Sequence, residues 1–189
     1  MNDSSGPLRG ATVLYGLLLA GAFAWVLVDR GTSDLFRHPD ALWHPTLALG
    51  LLVGLALGVA LGLLVAAATR RAVRRLRWAA ALHSEFRSLL GPATDGDIFL
   101  LAAFSAVAEE CFFRGAMQPA VGLVVSSLVF GGLHLPMSKR FLVWTLEATA
   151  MGFVLGLLFW ATGQLAAPIA AHFTINYENL HFIRRYKPA

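Results

Sequence analysis

Glu109-Glu110-Cys111-Phe112-Phe113-Arg114 sits inside an otherwise apolar region that runs from about Ile98 to Ile183. Ionisable groups at membrane depth are costly, and they are retained where they pair or work. On a helix, Glu110 and Arg114 are four residues apart with the glutamate first, the orientation that pairs best. Glu109 is turned by about 100° from Glu110, so the arginine cannot serve both carboxylates equally well. One glutamate therefore has an obvious partner, and the other is left for chemistry.

The rest of the chain places those charges in a membrane. Hydrophobic residues make up 57% and charged residues 14% of the 189 residues, whereas soluble domains carry about 25% charged residues. The mean hydropathy is +0.65. A soluble core of this size would need a larger polar coat. The expected fold class is all-α: a polytopic membrane protein of about six transmembrane helices, with one transmembrane domain over residues 1–189. The net charge of +4 does not point to nucleic acid, because the arginines lie between apolar spans where topology accounts for them. Cys111 is the single cysteine; it excludes an intramolecular disulfide and a cysteine-based zinc cage, and reads as a small buried residue.

Taken in order, Ala11 to Val28 is uncharged and just long enough to cross a bilayer. Ala22-Phe23-Ala24 has the form of a signal-peptidase site, but the apolar run continues through Val28, which favours a retained first span. Thr46 to Thr69 is the second span. Its Gly50, Gly54, Gly58 and Gly62 form a small-residue ridge that reads as a packing face within the chain rather than a homodimer seam. Arg70, Arg71, Arg74, Arg75 and Arg77 follow. The segment from there to Leu90, with Leu76, Trp78, Leu82, Phe86 and Leu89, has the pattern of an interfacial amphipathic helix before the third span. Asp95 or Asp97 is placed to cap the next helix.

Four more spans are expected near 97–117, 119–135, 141–161 and 165–182, the fourth bounded by Pro119 and Pro136. With a cytoplasmic amino end, twelve of the fifteen Lys and Arg fall inside, Lys139 and Arg140 among them, and only Arg30 and Arg37 outside. Six helices with both termini cytoplasmic satisfy the positive-inside rule.

Two later spans carry polar side chains one turn apart: Phe130 with His134, and His172 with Asn176. Membrane helices bury such groups against each other. Glu109, His134, His172 and Asn176 would then face one cavity, a set sufficient for hydrolysis by water. A carboxylate shielded from solvent holds protons more tightly and so approaches general-base duty. A histidine helps deprotonate the water, while asparagine and the second histidine donate to a forming oxyanion. Phe112, Phe113 and Phe130 read as cavity walls. Glutamate with two histidines can also ligate zinc, although the helical His-Glu-x-x-His pattern is absent.

Glu-Glu-x-x-x-Arg, Phe-x-x-x-His and His-x-x-x-Asn, in that order on successive apolar segments, resemble the motifs of the CAAX-protease and bacteriocin-processing (CPBP) intramembrane proteases. The resemblance covers about Asp97 to Arg185, a catalytic core of 97–185. It implies a glutamate-dependent endopeptidase within the membrane that needs no cofactor or catalytic metal. Glu109 matches the catalytic glutamate and His134 the histidine that helps activate water. His172 and Asn176 match the oxyanion residues, and Glu110 and Arg114 the supporting pair. The implied partners are a membrane-associated protein or peptide substrate and the lipid bilayer, in what the alanine- and arginine-rich composition suggests is a bacterial inner membrane. The amino-terminal half carries no family signature, and the oligomeric state has none either. A non-catalytic scaffold or self-immunity protein of the same fold, and a small proton-coupled transporter, are the competing readings.

Overall fold

The apolar runs fold as helices in a computed structural model that describes residues 5–134 and 141–188. They are α1 (Ser5–Arg30), α2 (Leu47–Arg75), α3 (Arg77–Leu90), α4 (Asp95–Glu110), α5 (Gln118–Leu133), α6 (Leu142–Thr162) and α7 (Ala166–Arg185). A π-helical turn over Cys111–Met117 joins α4 to α5. Pro136, Lys139 and Arg140, expected in the loop before the fifth span, lie outside the described residues.

Four stretches are long and apolar enough to cross a membrane: Gly10–Arg30, Leu47–Arg75, Asp95–Leu133 and Leu142–Thr162. These are the helices of an integral membrane protein, and their outer faces leave Leu17, Val28, Leu52 and Leu64 largely exposed. The expected third and fourth spans share the single stretch Asp95–Leu133, which reverses direction at Gly122. Gly122 has φ 85° and ψ 165°, open to glycine and strained for any other residue. Beyond it α5 runs only to Leu133, about 16 Å at helical rise, roughly half of a hydrocarbon core. Pro119, expected to bound the span, is passed without a break. The expected sixth span is α7, whose His172, Asn176, Glu178, Asn179 and His181 keep it below that apolar standard.

The glycine ridge of α2 packs within the chain. A Cβ at Gly54 would meet Ala166 and Ala167, and one at Gly62 would meet Thr174, so α2 lies directly against α7. On the other side α4 pairs with both α1 and α7, and α5 runs antiparallel to α6 with Gly152 against Ser127. The starting end of α1 and the finishing end of α7 consequently share one end of the bundle.

At that end the arginines are structural. Arg70 pairs with Glu178, and Arg74 lies over the Tyr186 ring at 5.7 Å. Arg87 of the amphipathic α3 donates to the carbonyl of Ile183 at 2.7 Å and to that of Arg184. Those carbonyls are left without helical donors at the end of α7, and cations satisfy them well. The cap of α4 differs from expectation. Thr94 is the N-cap; Asp97 completes a capping box by accepting from the Thr94 backbone N–H at 2.8 Å. Asp95 instead pairs with Arg184.

Candidate active site

Arg114 Nη1 donates to Glu110 Oε1 at 2.9 Å, the pair expected from their spacing. The second guanidinium nitrogen donates to the Gly152 carbonyl at 3.3 Å, and the guanidinium lies over the Phe130 ring at 4.2 Å. Glu110 is fully buried. An unpaired charge there would be severely destabilising, so Arg114 and the Phe130 face together make the site tenable.

His172 of α7 meets the same oxygen: its Nδ1 lies 2.7 Å from Glu110 Oε1. A carboxylate paired with arginine is an acceptor only, so Nδ1 carries the proton and donates. The other ring nitrogen, Nε2, is thereby an acceptor in the neutral ring, and it faces Glu109 Oε2 at 4.0 Å. The two glutamates are split as their helical phases require, Glu110 to the arginine and Glu109 to the far side of the imidazole. Glu109 Oε2 is buried and has no hydrogen-bond partner among the described residues, so it keeps full acceptor capacity.

The remaining expected residues take different places. Asn176 Nδ2 donates to Ser105 Oγ at 2.9 Å, which ties α7 to α4 one turn before Glu109. His134 stands at the end of α5, with Nδ1 donating to the Phe130 carbonyl at 2.7 Å. Its ring packs on Phe130 and Trp144, at 4.7 and 4.9 Å between centroids. The Phe130 ring meets those of both His134 and His172. Phe113, expected to wall the site, packs edge-on to Phe130 at 5.1 Å. Phe112 packs edge-on to Phe113 at 5.2 Å and also meets Trp25 and Gly21 of α1.

Three features escape the sequence reading. Ser105 had a signal, since it lies four residues before Glu109 and so on the same helical face. Tyr15 on α1 stands beside Glu109 and Ser105, and its signal was weaker, one polar ring in an apolar span. The π turn directly after the glutamates had none. Such turns widen a helix by one residue and recur at functional sites. No group of three or more metal-ligating side chains converges among the described residues. A cavity of about 500 Å³ lined by Asp34, Arg37, Leu47 and Gln164 lies away from the carboxylates.

With that geometry in view, the family model described as type II CAAX prenyl endopeptidase Rce1-like matches residues 96–177. This segment is similar to the Rce1-like family. It holds Ser105, Glu109, Glu110, Arg114, Phe130, His134, His172 and Asn176, and it leaves out α1, α2 and α3. The uncharacterised protein YpbD of Bacillus subtilis (strain 168) is 40% identical over 79 residues, 42% of this chain and 41% of its own length. The chain thus spans about two fifths of the length of that curated relative. No solved structure matches.

Proposed function

We propose that the chain is an intramembrane endopeptidase in which Glu109 activates water against a peptide carbonyl. The carrying observation is the line from Glu110 through His172 to Glu109: one oxygen holds Nδ1 at 2.7 Å, and Nε2 faces the Glu109 carboxylate at 4.0 Å. The Rce1-like match supports the reading because every member of that line falls within it.

In this mechanism the water oxygen bonds to the carbonyl carbon as Glu109 takes the water proton. The carbon–nitrogen bond then breaks, and Glu109 returns the proton to the leaving nitrogen. Asn176 gives one amide N–H to Ser105 and keeps a second for the oxyanion. His172 aids the oxyanion only when both ring nitrogens are protonated; in its neutral form Nε2 accepts from water instead. Glu110 and Arg114 hold that ring in orientation, His134 helps to activate the water, and Phe130 closes the side toward α6. The substrate class is the carboxyl-terminal or membrane-embedded segment of another protein. The reaction uses no cofactor, and the protein sits in a bacterial inner membrane with both termini cytoplasmic.

The test compares membrane peptides by mass spectrometry in cells carrying the unaltered protein or Glu109→Gln. Fragments that appear with the former and vanish with the latter are expected. Identical peptide sets would overturn the endopeptidase reading. A retained phenotype in Glu109→Gln would then favour a scaffold, and altered proton-coupled flux a transporter.

A further inference from the structure

The polar network around Glu109 does not end within the matched segment. Tyr15 lies outside residues 96–177, yet its phenol stands beside the Glu109 carboxylate and the Ser105 hydroxyl. Ser105 in turn accepts from Asn176. One phenol on α1 therefore touches the proposed base on α4 and, through Ser105, the amide on α7.

The placement of Tyr15 follows from how α1 packs. Ala22 and Val26, seven and eleven residues further on, are wholly buried, whereas Leu14 and Leu17 are 55% and 68% exposed. Tyr15 shares the inward face with them. At the far end of α1, Arg30 Nη2 donates to the Gly115 carbonyl at 2.7 Å. Gly115 belongs to the π turn that follows the glutamates, so this bond fixes α1 in height against α4.

We propose that Tyr15 is a positioning residue for Glu109, a role that rests on the reading of Glu109 as the base. Oε2 of Glu109 has no hydrogen-bond partner among the described residues, which leaves Oε1 for the phenol. A phenol has one proton to give. Given to Oε1, it stops the carboxylate from rotating and keeps Oε2 toward His172 Nε2, 4.0 Å away. Without it, Glu109 can turn and lose its aim at the water. The first helix is then part of the site, although no motif of that family falls on it.

The test is Tyr15→Phe in the full chain in liposomes, read in two ways. Infrared difference spectra against Glu109→Gln isolate the Glu109 carboxylate stretch. Removing the phenol hydroxyl shifts that band, while Leu19→Ala, which loosens the same face of α1, lowers the melting temperature and leaves the band in place. An unmoved band in Tyr15→Phe overturns the contact, whether or not the protein cleaves peptides. On a peptide that the unaltered protein cleaves, Tyr15→Phe lowers kcat by about tenfold with KM unchanged, the mark of lost alignment. An unchanged kcat, or a loss carried by KM alone, overturns the positioning role. If the unaltered protein cleaves nothing, the reading of Glu109 has failed, and the infrared result still decides the contact.

Discussion

Glu110 shows how much one buried carboxylate is asked to do. Its Oε1 accepts from both Arg114 and His172, so removing the arginine strands a charge in an apolar interior. Arg114→Met is expected to destabilise the protein by about 3–5 kcal/mol, read by thermal unfolding in detergent. Adding Glu110→Leu is expected to restore part of that loss, because the pair is then replaced and not broken. His38, in the loop between α1 and α2, offers a pH-dependent counterpart. Burial among neighbours that include Phe159 pushes its imidazole below the ordinary histidine range. The unfolded chain therefore binds a proton more readily than the folded one. The stability that His38 contributes is full above roughly pH 6.5 and falls as the pH drops toward the lower folded value. The melting temperature should drop between pH 7.5 and 5.5, and His38→Phe should flatten the part due to this residue. The pairing of Glu110 with Arg114 was legible from spacing alone, as was the release of Glu109. The direction of His172 was not, because it depends on a helix that arrives 62 residues later in the chain.

The elements were legible where composition is periodic. The glycine ridge of α2, the amphipathic α3 and the apolar runs all appear as helices close to their expected places. What escaped was the stretch from Cys111 to Gly122, where local geometry overrides the usual rules. Pro119 has no N–H to offer the Gly115 carbonyl four residues back, which argued for a break. The helix instead passes through a π turn, and Arg30 donates to that carbonyl at 2.7 Å. Arg30→Met is expected to cost about 1.5–3 kcal/mol, as for a hydrogen bond to a charged donor. Pro119→Ala in the same chain should recover some of it by supplying an N–H. The α2–α7 contact gives a sharper steric test. A Cβ at Gly58 would press on the Ala167 carbonyl and on Ala170, whereas one at Gly16 has nothing within 4 Å. Gly58→Leu should lower stability by about 1–3 kcal/mol or more, and Gly16→Ala should be neutral or gain up to about 1 kcal/mol.

Across the whole molecule, two layers of information meet. The arginines that flank the apolar runs in the sequence also fasten one end of the bundle, through Arg70, Arg74, Arg87 and Arg184 against α7 and its flanks. With Cys111 replaced by alanine, a cysteine at Asp40 should react with an impermeant maleimide from outside intact cells, and one at Lys187 only after lysis. Labelling in the opposite sense would reverse the proposed orientation. The proposed site draws on α1, α4, α5 and α7, so sequence motifs confined to residues 96–177 could show only part of it. The most direct measurement is to incubate the protein in liposomes with a cleaved peptide in ¹⁸O-water and weigh the products. One heavy oxygen should enter the new carboxyl terminus, and both product and label should vanish in Glu109→Gln. Equal cleavage by that variant, or a new terminus without the label, would contradict hydrolysis by a Glu109-activated water.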